Sequence, residues 1–257
     1  MPRLRALIFD VDGTLADTER DAHRVAFNRA FGEFSLPFAW DVPTYGKYLK
    51  ITGGKERLRG FLNDHPQYPQ LSDAEIRQIH QRKTALYGEI IAAGVAPLRP
   101  GVARLLDAAQ AAGLRLAIAT TTTPDNVSAL LQSTLGAGVW ERFDYIGAGD
   151  IVPHKKPAPD IYQHVLAQLQ LSPAECLALE DSENGLRSAL GADLGVVITQ
   201  TEYTADQDFS GALRVLDHLG EAEQPGTVLA GNESGQKLVV DLPTLEEWFA
   251  RGSNRNV

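Results

Sequence analysis

Short apolar runs and helix-period segments alternate along most of the 257 residues. The runs at Leu4–Val11, Leu114–Thr120, Tyr145–Ala148, Cys176–Glu180, Leu194–Ile198 and Arg214–Leu219 are largely unbroken, the pattern of strands buried on both faces. Between them, Val102–Ala112, Asn126–Leu135, Asp160–Leu171 and Asn184–Leu190 carry apolar residues at helical spacing. The first stops at Gly113, which can end a helix, and the next two follow closely on Pro124 and Pro159. Strand, helix, strand at this spacing predicts an α/β fold with a doubly wound parallel sheet.

One stretch breaks the alternation. From Asp17 to Pro97 there is no strand pattern, and Ala22–Phe34, Lys55–Asn63 and Ala74–Ala93 read as amphipathic helices. This predicts a helical insertion, residues 17–97, in a core made of residues 1–16 and 98–257. Leu98-Arg99-Pro100-Gly101 marks the return to the core. After Gly220 the pattern suggests a hairpin and a helix at Pro243–Ala250, and the last six residues are expected to fray.

Composition narrows the class. A net charge of −9 and a pI near 5.2 argue against a partner such as nucleic acid, which needs a broad basic face. One cysteine, Cys176, excludes an intrachain disulfide and suits a reducing compartment. The first strand begins close to Met1, so no targeting segment is expected, and no apolar run approaches membrane-spanning length. A cytoplasmic monomer is the expectation.

The chemistry lies at the predicted strand ends, where an open parallel sheet binds its ligands. The first strand runs straight into Asp10 and Asp12. Residues two apart on a strand face the same way, roughly 6.6 Å from each other. Such a pair can divide the work of nucleophile and proton donor. Gly13 then permits a tight turn. The second strand ends in Thr120, Thr121, Thr122 and Thr123, whose hydroxyl and N–H groups can hold phosphate oxygens or simply form a polar turn. The third leads to Lys155-Lys156-Pro157, and a lysine there can offset phosphate charge. The fourth ends in Glu180-Asp181. Carboxylates gathered near Asp10 repel one another unless a cation intervenes, and oxygen ligands of this kind suit Mg²⁺.

With these residues placed, the chain resembles the haloacid dehalogenase superfamily of phosphotransferases, through Asp10-Val11-Asp12-Gly13-Thr14, Thr120, Lys156-Pro157 and Glu180-Asp181. The insertion is similar to that family's cap. Dehalogenases themselves lack the second aspartate of the opening motif. Finer matches at Asp17–Glu19, Thr52–Arg57, Ala119–Thr122 and Ala178–Ala189 look like the CbbY branch, whose members are xylulose-1,5-bisphosphate phosphatases that clear an inhibitory by-product of Rubisco. The resemblance implies that Asp10 is phosphorylated and that Asp12 moves the proton. It implies that Thr120 and Lys156 hold the transferring group, and that Asp10, Asp12 (by its carbonyl), Asp181 and Glu180 surround Mg²⁺.

The predicted cap adds a reason to expect a bisphosphate. Gly53 and Gly54 precede Lys55-Glu56-Arg57, so a helix start with free N–H groups and two cations can meet a second phosphate. Lys83 is expected to reach the site from a later helix, whereas Arg59 and Arg82 are expected in solvent. Glu19 resembles the family residue that contacts a substrate hydroxyl. Asn126 either touches the phosphate end of the substrate or caps its helix. A small phosphorylated sugar is therefore the expected partner. A β-phosphoglucomutase-type mutase, a phosphoglycolate phosphatase and a non-catalytic phosphosugar-binding regulator remain alternatives.

Overall fold

The unbroken apolar runs find their reason in the first strand. Its residues are fully buried, with Leu7 and Phe9 facing one apolar layer and Ala6 and Ile8 facing the other. Both faces are covered, so alternation with polar residues would cost core on one side. The computed structural model describes residues 3–231 and 233–253. Its strands are β1 (Ala6–Phe9), β2 (Arg115–Ala119), β3 (Tyr145–Gly147), β4 (Cys176–Glu180), β5 (Gly195–Thr199) and β6 (Arg214–Leu216). They form a six-stranded sheet in the order β3-β2-β1-β4-β5-β6. Every pairing is parallel; Phe9 stands between Ile118 of β2 and Leu179 of β4.

Four helices span the insertion: α1 (Arg24–Glu33), α2 (Val42–Leu49), α3 (Gly54–Asp64) and α4 (Asp73–Ala92). A π-helical turn, Glu19–His23, leads into α1. Phe27, Phe31, Trp40, Tyr45 and Phe61 form its aromatic centre, with ring centroids 4.8 to 6.4 Å apart. Ser72 opens α4 with a reciprocal capping box to Glu75. The α2 helix is absent from the sequence reading. Pro43 and Gly46 disguise it, yet Asp41 caps it by accepting from Thr44 N, and proline is tolerated in a first turn.

Beyond the insertion, α5 (Val102–Ala111) and α6 (Pro124–Leu135) cover the Leu7/Phe9 face, and α7 (Asp160–Leu169) and α8 (Glu183–Leu190) cover the other. A hairpin of β7 (Gly226–Thr227) and β8 (Lys237–Leu238) leads to α9 (Leu242–Ser253), which joins the first face. This tail has a structural task. Leu216 and Val228 form an antiparallel bridge, and Leu229 N donates to Val215 O at 2.8 Å, so it covers the edge strand β6. Residues 254–257 of the segment expected to fray lie outside the described residues. No described helix is long and apolar enough to cross a membrane.

Candidate active site

The strand order reverses between β1 and β4, and that crevice is where such sheets take ligands. Asp10 follows β1, Glu180 ends β4 and Asp181 follows it; all three are buried, with carboxylate oxygens within 4.8 Å of one another. Lys156, from the loop after β3, donates to Asp10 Oδ1 at 2.6 Å, to Ala119 O at 2.8 Å and to Glu180 Oε1. Tyr162 Oη donates to the same Glu180 oxygen at 2.7 Å, and Asp181 N donates to Glu180 Oε2 at 3.2 Å. Glu180 thus spends both oxygens on positioning Lys156 and the β4 end. It also stands with Asp10 and Asp181 in the acidic cluster expected to surround a cation.

Burial raises the Asp10 carboxyl to about 8, although Lys156 pulls the other way. Asp181 is raised well above its usual range, first by burial and then by Glu180 and Asp10. Its carboxylate accepts no hydrogen bond among the described residues. Gly13, at φ +87°, makes the crowding possible: a Cβ there would stand 2.2 Å from Asp181 Oδ2. Two oxygen-donor groups that burial drives toward protonation, one of them unpartnered, fit a small divalent cation.

Asp12 stands in a different environment. Thr122 donates to its Oδ2, Thr18 to its Oδ1, and His23 Nε2 lies 2.8 Å from Oδ1. Burial works against ionisation, but His23 and these hydroxyls outweigh it and hold Asp12 well below the usual carboxylate range. Lys83 donates to His23 Nδ1, and the imidazole stacks on Tyr87 at 4.2 Å. An ammonium only donates, so Nε2 carries the hydrogen toward Asp12. Arg99, which marked only the return to the core in the sequence, is buried beneath this loop. It donates to Gly13 O, to Thr199 O at 2.7 Å and to Gln200 O at 2.8 Å.

A cavity of about 560 Å³ opens above these groups, and Asp10, Asp12, Thr120, Thr121, Thr122, Asn126, Lys156 and Asp181 line its core side. Thr120 Oγ1 accepts from Thr122 N at 3.2 Å. Asn126 does not cap α6, and its buried Oδ1 has no partner among the described residues. Glu19, Gly53, Gly54, Arg57, His80 and Lys83 line the opposite side. Arg57 is buried there, donating to Tyr45 Oη at 2.8 Å and standing 3.9 Å from Glu19, to which Tyr45 also donates. Gly53 is the N-cap of α3, and no side chain caps its first turn.

Lys55 is not brought to this cavity. It pairs with Asp150 of the core, whose other oxygen is 2.8 Å from Lys155, and Lys155 is 3.0 Å from Glu56. The expected reader of a second phosphate is instead one corner of a four-charge bridge between the helical insertion and the sheet domain. Arg59 pairs with Asp73, and Arg82 with Glu33 and Glu89, on the exposed surface as expected. Tyr45, Tyr162 and Arg99 were missed. Tyr45 lies on the unpredicted helix, and the other two look like ordinary core and loop residues.

Residues 4–193 match the haloacid dehalogenase-like hydrolase family. The chain belongs to that family. It is 51% identical over 225 residues to protein CbbY (plasmid) of Cupriavidus necator, covering 86% of this chain and 88% of the relative. Among solved structures, CbbY from Rhodobacter sphaeroides in complex with phosphate superposes with a TM-score of 0.80 at 45% identity, covering 84% of this chain and 94% of that one. A mutant of the same Rhodobacter sphaeroides protein in complex with xylulose-(1,5)bisphosphate gives a TM-score of 0.80 at 44% identity, covering 86% and 98%. Within the haloacid dehalogenase-like hydrolases the chain stands in the CbbY-like branch, and it is a phosphatase-type enzyme.

Proposed function

We propose that this enzyme removes the 1-phosphate of xylulose 1,5-bisphosphate, releasing xylulose 5-phosphate, and that it thereby clears an inhibitory by-product of Rubisco. The reading is supported by one observation above all. A single cavity has a buried carboxylate–lysine pair on one wall and a buried arginine, Arg57, on the other, so each phosphate of a short sugar finds a cation. The relative solved with xylulose-(1,5)bisphosphate points the same way.

Residues 17–97 serve as the cap and residues 1–16 with 98–257 as the core. Asp10, the backbone carbonyl of Asp12 and Asp181 are the groups to hold Mg²⁺, with Glu180 behind them. When bound, the ion offsets their charge and that of the phosphoryl oxygens. Asp10 attacks phosphorus in line; its Oδ–P bond forms as the bond to the sugar oxygen breaks. Asp12 gives that oxygen the proton it took from water in the preceding turnover, and the bonds from Thr18, Thr122 and His23, which favour its carboxylate, make it a strong acid for that step. Ionised again, Asp12 takes a proton from the water that hydrolyses the aspartyl-phosphate. Thr120, Thr121, Asn126 and Lys156 hold the transferring oxygens, and closure of the cap over the cavity would exclude bulk water. Arg57, with Glu19, Gly53 and Gly54, takes the far end of the sugar.

Phosphate release across a panel of sugar mono- and bisphosphates, with and without Mg²⁺, tests this. The expected result is highest kcat/KM on xylulose 1,5-bisphosphate. A higher value on phosphoglycolate, or phosphoryl transfer to a sugar acceptor without phosphate release, overturns it.

A further inference from the structure

Gly46 stands in the middle of α2, where glycine weakens a helix relative to alanine. Its presence there is explained from outside the helical insertion. A Cβ added to Gly46 would come within 2.9 Å of Tyr203 Cδ1 and 3.1 Å of Tyr203 Cε1, and would meet nothing else within 4 Å. Tyr203 belongs to the sheet domain, on the loop that follows β5. Its ring therefore lies in a notch that glycine leaves open, edge-on to Tyr45 with 6.0 Å between centroids. Tyr45 in turn accepts from Arg57 and donates to Glu19.

The loop is built to hold that ring still. Thr201 N donates to Thr204 Oγ1 at 2.9 Å, Thr204 N to Thr201 O at 3.2 Å and Gln207 N to Thr204 O at 3.1 Å. Gln207 Oε1 accepts from Glu183 N, at the start of α8, at 2.7 Å, and Gln200 O accepts from Arg99 at 2.8 Å. Both ends of the loop are thus tied to the sheet domain. Beside the ring, Glu202 pairs with Arg20 of the insertion at 3.1 Å. The Tyr203 hydroxyl is buried and has no partner among the described residues, so the ring acts by shape and not through a polar contact.

We propose that Tyr203 is a positioning residue: its ring, seated on Gly46, sets the register in which the cap closes over the core and so fixes where Tyr45, Arg57 and Glu19 stand relative to Asp10. This rests on the phosphatase reading above, with residues 17–97 as its cap, and holds for any sugar phosphate the cavity takes. The charge pairs across the same boundary, Arg20 with Glu202 and Lys55 with Asp150, tolerate sliding, because their partly exposed side chains can follow one another. A ring in a notch one residue wide does not. Moving one wall of a site by about 1 Å can cost on the order of 100-fold in rate.

The test measures Tm, and kcat/KM on the best sugar phosphate of the panel above, for Gly46→Ala, Tyr203→Ala, Tyr203→Phe and the double variant Gly46→Ala/Tyr203→Ala. Gly46→Ala should lower kcat/KM by about 10-fold to 100-fold with Tm equal to wild type or higher, because alanine strengthens α2 while its methyl fills the notch. A residue that only supported the fold would move both together. Tyr203→Ala should lose about 10-fold, and Tyr203→Phe should keep most of the activity. In the double variant the methyl meets no ring, so its loss should match that of Tyr203→Ala alone. Losses that multiply in the double variant, wild-type kcat/KM in Gly46→Ala, a fall in its Tm that matches its loss of activity, or a Tyr203→Phe enzyme as impaired as Tyr203→Ala each overturn this proposal alone. A wild-type enzyme that releases no phosphate from any sugar phosphate overturns the reading beneath it.

Discussion

Asp10 and Asp12 are two residues apart and held in opposite protonation tendencies, which run against the proposed roles of nucleophile and proton donor, so a bound cation would have to free the Asp10 carboxylate before it attacks. Asp10 is buried against Glu180 and Asp181, so its charge is tolerated rather than favoured. Asp10→Asn should therefore abolish turnover while leaving urea stability equal to wild type or higher, since the amide adds no charge to the cluster. An active Asp10→Asn enzyme would end its assignment as nucleophile. Asp12→Asn should lower kcat by ~10²–10⁴-fold, the usual share of proton transfer, and excess Mg²⁺ should not restore it. Rescue by Mg²⁺ would make Asp12 a metal ligand only. At this scale the sequence was legible where chemistry sits beside the backbone of a strand end: Asp10, Asp12, Thr120 and Asp181 need only the strand to place them. Lys55 was not, because its direction is decided by Asp150, 95 residues away.

Between elements, the same segment points its side chains two ways within one helical turn. Arg57 turns from α3 into the cavity, while Lys55 and Glu56 meet Asp150 and Lys155 across the boundary. These four groups alternate in sign and are partly exposed, so each pair contributes about 0–1 kcal/mol and is screened by salt. Arg57→Ala should cost about 10-fold to 100-fold in kcat/KM on the bisphosphate and spare the 1-phosphate, since a buried charged donor is lost. Lys55→Ala should cost less than ~10-fold and act equally on both substrates. Asp150→Lys combined with Lys55→Asp should restore the loss. A selective effect of Lys55→Ala would return that lysine to the substrate. The α2 helix shows why the cap was only partly legible. Its Pro43 and Gly46 weaken local propensity, and it stands because Tyr45 and Tyr48 bury themselves among the cap aromatics.

Across the whole molecule, a chain of charge −9 must gather an anionic substrate over a nest of buried acids, and the sheet's switch point concentrates that conflict. A bound divalent cation would resolve it, and its binding would depend on pH in a definite direction. Without metal, the folded state keeps a proton on Asp10 up to about pH 8, whereas an ordinary aspartate releases it near 3.8. Between those limits the folded state holds more protons than the unfolded chain, so this group makes stability fall as pH rises. Asp181, raised in the same direction, adds to the slope. On the proposed reading Mg²⁺ would compete with those protons for the same oxygens, binding more firmly as they leave and stabilising the fold by its own occupancy. The increase in Tm produced by a fixed, sub-saturating Mg²⁺ concentration should therefore grow steadily from about pH 5 to about pH 8, with proton release on binding at the lower end. Asp181→Asn should flatten that slope and abolish Mg²⁺-dependent turnover together. Thermal melts with and without Mg²⁺ across this range check the trend. An increase in Tm that shrinks with pH, or that persists in Asp181→Asn, would place the ion away from the β1–β4 crevice.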